Sequence, residues 1–112
     1  MQIASIINHR SSGEFKIAQE SKYAGEDYWE WSVWIDASEG DLDKIDYVVY
    51  NLHFSFPDPV KTIKTRQNHF RLNASGWGTF TIYARINFKD GTVLDREHEL
   101  ELFYPDGTMT QA

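Results

Sequence analysis

The residues of this chain that could do chemistry gather in two short stretches. In Leu52-His53-Phe54-Ser55-Phe56-Pro57, followed by Asp58, an imidazole, a hydroxyl and a carboxylate stand close together. These are the groups of a hydrolytic triad, but a working triad draws its base, its orienting acid and its oxyanion donors from separate elements that converge. Neighbours on one loop do not supply that convergence and no oxyanion hole can be placed, so no catalytic residue is assigned and the chain is read as a non-enzyme. His9, His53, His69 and His98 are scattered without paired spacing and cysteine is absent, so no metal and no cofactor is expected. The second stretch is Gly76-Trp77-Gly78-Thr79-Phe80. Its glycine spacing is too short for a phosphate-binding loop, and no helix follows it.

Both stretches place aromatic rings beside glycine or small polar groups in expected loops. Phe56 and Trp77 offer flat apolar walls, Gly76 and Gly78 permit close backbone approach, and His53 and Ser55 can hydrogen-bond. Each also has a purely structural reading. Trp77 could plug the end of the fold, Phe56 could tuck into the core, His53 could be a hydrogen-bonded residue at a strand end, and Ser55 could cap its own turn.

The elements that must carry these loops are strands. Aromatic residues make up 15% of the chain and fall in short alternating runs between Gly, Pro, Asn and Asp signals. A short strand is expected at Ile3 to Ile7, and another from Glu14 to Ser21 that ends early because Gln19 breaks its apolar face. Tyr28 to Asp36 turns Trp29, Trp31, Val33 and Ile35 to one side, while Trp34 lies on the other as a contact patch or beneath a neighbouring strand. Ser38 to Asp41 reads as a loop, and Ile45 to His53 as a central strand with large apolar groups on both faces. Pro57 and Pro59 cannot donate to a ladder and should end it. Short strands follow at Val60 to Lys64 and Phe70 to Asn73, then a turn at Ser75 to Gly78. The strongest core pattern is Phe80, Ile82, Ala84, Ile86 and Phe88, joined by a Lys89-Asp90-Gly91-Thr92 hairpin to a last strand over Val93 to Tyr104. With no convincing amphipathic helix, the chain is expected to be all-β, an immunoglobulin-like β-sandwich of about seven to eight antiparallel strands.

Composition bounds the rest. The 112 residues suit one domain over 1–112, with loose ends at 1–13 and 109–112. The net charge of -6 repels phosphate backbones and argues against nucleic acid, while favouring a basic partner if it does more than confer solubility. No run approaches the roughly 20 apolar residues of a membrane helix, and the opening Met1 to Arg10 lacks the features of an export signal, so a cytoplasmic protein is expected.

Taken together, Trp29, the long strand ending at Leu52-His53, the Ser55-Phe56-Pro57-Asp58-Pro59 segment and the Gly76-Trp77-Gly78-Thr79-Phe80 turn resemble the YEATS family, in its order and spacing, over residues 23–107. The compact form is similar to prokaryotic YEATS-type domains. The resemblance implies a reader of acylated lysine, such as acetyllysine or crotonyllysine, in a peptide or protein. It further implies that Phe56 and Trp77 form opposed walls with His53 near the entrance, that Ser55 bonds the acylamide, and that backbone N–H groups around Gly76, Trp77 and Gly78 meet its carbonyl. Tyr23 or Tyr28 stands in for an aromatic that the family often adds, and Gln67 to Phe70 departs from the prolines found in many relatives. The chemistry fits: a neutral planar amide can lie between aromatic faces if its two polar atoms find partners, whereas an unmodified ammonium would be buried unpaired. The alternative is a protein-interaction domain that uses a sheet edge or the Trp34 face without any acyl slot.

Overall fold

The computed structural model describes residues 15–112, and the expected strand at Ile3 to Ile7 and loose start at 1–13 lie outside the described residues. Seven strands run in the order β1 (Lys16–Gly25), β2 (Tyr28–Asp36), β3 (Ile45–Asn51), β4 (Val60–Ile63), β5 (Leu72–Gly76), β6 (Thr81–Phe88) and β7 (Val93–Glu99). They form two antiparallel sheets, one ordered β1-β2-β5 and the other β4-β3-β6-β7. The result is the expected all-β sandwich, with β3 inside its sheet and β4 at an edge.

Alternation builds the core. Trp29, Trp31, Val33 and Ile35 of β2 face Val48 and Tyr50 of β3 and Ile82, Ala84, Ile86 and Phe88 of β6, all of them buried. Tyr50 keeps its ring in this interior because its hydroxyl donates to the Phe70 carbonyl at 2.9 Å. Burial pushes that phenol above its ordinary range.

Several element boundaries differ from expectation. β1 runs on to Gly25, paired with β2 as far as Tyr28, and Gln19, which looked like a strand end, acts as a clamp. Its amide donates to the Glu101 carbonyl at 2.8 Å and accepts the Glu101 N–H at 2.9 Å, imitating a strand partner across the two sheets. Ser38 to Asp41 is the start of a one-turn helix, α1 (Glu39–Leu42), because the Ser38 hydroxyl accepts the Asp41 N–H at 3.1 Å and Leu42 is buried beneath. β5 starts at Leu72, since Phe70 takes φ 59 at the end of a 3-10 turn, Gln67–His69, and it runs to Gly76 paired with Trp29.

Pairing with β6 ends at Glu99, and Leu100 and Leu102 stay buried as the chain leaves for the side of β1. There Phe103 accepts the Trp29 indole N–H at 2.8 Å. After the Pro105-Asp106-Gly107 turn, residues 109–112 are tied down rather than frayed. Met109 bridges Phe103, the Thr110 N–H donates to Leu102 at 2.9 Å, and a Cβ on Gly78 would lie 3.7 Å from the Ala112 carbonyl oxygen.

Candidate functional site

The two aromatic stretches meet at one end of the sandwich. The β3–β4 connection is closed at its base by Leu52 N–H donating to Pro59 at 2.8 Å, and within it Phe56 N–H donates to His53 at 3.0 Å. These bonds fold the proline-limited loop so that Phe56 points back toward the core, edge-on to Trp31 and tilted against Phe80 with centroids 5.4 Å apart. The β5–β6 connection carries Trp77, which is 65% exposed and joins no ring pair among the described residues. Between the loops lies a cavity of about 480 Å³, lined by His53, Ser55, Phe56, Gly76, Trp77 and Gly78. All six residues expected to form the ligand slot therefore line one opening.

Six further residues join the lining: Tyr28, Pro57, Ser75, Thr79, Phe80 and Ala112. Of the two tyrosines, Tyr28 is the one that lines the cavity. It is the first residue of β2, on the opposite alternation phase from Trp29, and its hydroxyl lies 3.4 Å from Ser75 Oγ. Tyr23 instead packs against Trp29 and Tyr104, and its hydroxyl accepts the Asp27 N–H at 3.0 Å. The position of Tyr28 just after a turn was the available signal. Phe80 read as a core residue because it continues the inward alternation of β6.

The polar groups are organised by His53. Its Nδ1 accepts the Ser55 N–H at 3.1 Å and lies 2.8 Å from Ser55 Oγ. A ring nitrogen accepting an amide proton carries none of its own, so the Ser55 hydroxyl donates to it and the Oγ lone pairs are left to accept. The imidazole stacks on Phe54 at 4.2 Å between centroids. Asp58 takes no part: its carboxylate is 82% exposed and lies 3.8 Å from Lys61 Nζ. Among the described residues no carboxylate is bonded to the imidazole.

Glu26, Asp27 and Asp58 lie on the loops at this end, and the connections at the other carry Lys44, Arg66 and Lys89 together with Glu39, Asp41, Asp43 and Asp90. At that far end Arg66 is committed to Glu39 and Asp43 at 2.6 and 2.8 Å, and hydrogen bonding to Arg66 holds the Glu39 carboxyl below its usual value. Among the described residues no cluster of His, Asp and Glu could hold a metal ion, and no helix is long and apolar enough to cross a membrane.

Known proteins are similar to this chain in sequence and in fold. The AF-9 homolog protein of Candida glabrata is 37% identical over 62 residues, covering 52% of this chain and 26% of that protein. The AF-9 homolog of Eremothecium gossypii is 30% identical over 79 residues, covering 64% and 36%. The chain thus matches only about a quarter to a third of these curated relatives' length. Among solved structures, yeast Yaf9 superposes with a TM-score of 0.64 at 23% identity, covering 86% of this chain and 69% of that one. A Yaf9 YEATS domain recognising a succinylated histone H3 peptide gives 0.62 at 23% identity, covering 86% and 74%. One bound to an acetylated histone H3 peptide gives 0.63 at 21%, covering 86% and 75%. Those likenesses establish the fold. The family model of the prokaryotic YEATS domain matches residues 29–101, well over half of the sequence, and the chain therefore belongs to the prokaryotic YEATS domains, within a reader family that is non-catalytic.

Proposed function

We propose that this domain binds acylated lysine in a peptide or protein, through the cavity between the β3–β4 and β5–β6 loops. The observation that carries the reading is the convergence of Phe56, held half-buried by Trp31 and Phe80, and Trp77, unpacked and exposed, on one opening that also holds the Ser55 hydroxyl. An acylated side chain lies between the two rings. Its amide N–H donates to Ser55 Oγ, whose own proton is occupied by His53, and its carbonyl accepts from backbone N–H groups of the Gly76-Trp77-Gly78 turn. An unmodified lysine would bring an ammonium into a described lining that contains no carboxylate side chain. Acylation is then what admits the ligand.

Solved Yaf9 YEATS domains bind acylated histone H3 peptides, which supports the same ligand chemistry here. The acidic residues on the loops of this end suit a basic segment around the modified lysine, and a cysteine-free chain fits a cytoplasmic setting. The Trp34 face is a weaker docking surface than it looked from the sequence, because Arg71 covers the ring at 4.8 Å and is itself paired with Glu20 at 2.9 Å. The test is a calorimetric titration with one lysine peptide in acetylated and unmodified forms. Binding of the acetylated form alone, lost in Trp77→Ala without loss of fold, is expected. Equal binding of both forms would remove the slot from consideration.

A further inference from the structure

Among the described residues, Trp31 Nε1 is a buried side-chain donor with no hydrogen-bond partner. Trp31 is 2% exposed. Its neighbour on the same face, Trp29, is equally buried but donates to the Phe103 carbonyl at 2.8 Å. A buried N–H without an acceptor gives up its hydration for nothing, and folded proteins leave few such groups.

The position of this orphan donor is informative. A Cβ built on Gly76 would lie 4.0 Å from Trp31 Nε1 and 4.0 Å from Phe56 Cζ, with no atom nearer. Gly76 and Phe56 both line the cavity and Trp31 does not, so the indole N–H lies close behind the part of the wall that Gly76 forms. Trp31 meets that ring edge-on at 88° and 6.3 Å. Phe56 belongs to a loop, not a strand, and its neighbours Ser55 and Pro57 are exposed.

Resting on the acyl-lysine reading of the site, we propose that Trp31 is a specificity-determining donor at the back of the slot. It would take acyl chains that carry a neutral oxygen acceptor on their distal carbons, a keto group above all, reached when the Phe56 ring turns aside. A donor alone calls for an acceptor alone. A ketone oxygen meets the N–H and brings no proton that Phe56 and Phe80 would leave unsatisfied. A carboxylate would be desolvated in a described lining that holds no lysine or arginine.

The test compares butyryl-lysine with 3-oxobutyryl-lysine in one peptide, against the wild-type chain and Trp31→Phe, which keeps a ring and removes the N–H. The wild type is expected to prefer the oxo peptide by about tenfold, the effect of one hydrogen bond. Trp31→Phe should bring that ratio close to one while leaving butyryl affinity nearly unchanged. In the wild type, the Trp31 indole ¹H–¹⁵N resonance should move downfield and gain exchange protection with the oxo peptide only, a readout that stands even if the variant fails to fold. Equal binding of both peptides, or an unmoved indole resonance, overturns the inference and leaves the acyl-lysine reading intact. Binding of neither peptide overturns this inference, and the acetyl-lysine titration then decides the reading on which it rests.

Discussion

Trp29 and Trp77 mark two regions of this domain that obey opposite rules. Trp29 is fully buried, ringed by Tyr23 and Tyr104, and its one polar atom is satisfied by Phe103. Trp77, at the mouth of the cavity, is largely exposed and joins no ring pair among the described residues. The same side chain is a keystone in one place and a surface kept free in the other. A protein gains nothing in stability from an unpacked indole, so the contrast separates residues that hold the sandwich from residues held out for a partner.

Mutation can break that contrast at either pole. Trp29→Ala should cost about 3–5 kcal/mol, read as a fall in the urea midpoint at unchanged slope. Trp77→Ala should leave the midpoint within about 0.5 kcal/mol of wild type and abolish acyl-peptide binding, so a large loss of stability would place Trp77 with the core. Tyr50→Phe tests the core pole through one atom: the buried Phe70 carbonyl loses its donor, and unfolding should become easier by about 1–2 kcal/mol.

Gly76→Ala sharpens the cavity pole. The added methyl meets only contacts of 4.0 Å and the strand loses a flexible residue, so stability should hold or rise by about 0.5 kcal/mol. Peptide affinity should nevertheless fall by about tenfold as the slot narrows, and undiminished binding would show that the ligand does not reach the floor.

The smallest effect is a pH dependence. Burial holds the His98 imidazole below its ordinary value, against the opposing pull of Glu101 and Glu99, with Nε2 bonded to Gln19 at 2.7 Å. A neutral form favoured by folding stabilises fully above about pH 6.5, the unfolded value, and that contribution is lost as pH falls through the folded one. Denaturation midpoints across this window should decline toward acid in wild type and decline less in His98→Gln.

Much of the sandwich was legible because its signals are local and repetitive. Tyr28 to Asp36 and the β6 stripe alternate so regularly that strand and inward face follow together, and Asp90-Gly91 announces its hairpin. What was illegible depends on distant partners. Gln19 reads as a polar interruption until Glu101 arrives beside it, and 109–112 reads as a loose end until Phe103 and Leu102 receive it. At the site, His53, Ser55, Phe56 and the Gly76-Trp77-Gly78 turn were visible as motif residues. Tyr28 and Phe80 were harder to see, since a sandwich end is assembled from strand termini whose neighbours no single stretch reveals.

The Gln19 clamp also bears on how the chain reaches its native state. Its bonds to Glu101 join residues 82 positions apart, so they form only after most of the intervening chain has been ordered. The β6–β7 hairpin can zip early, whereas closure of β1 against the segment after β7 belongs to the late side of the folding barrier. Substitution at Gln19 should therefore accelerate unfolding far more than it slows refolding.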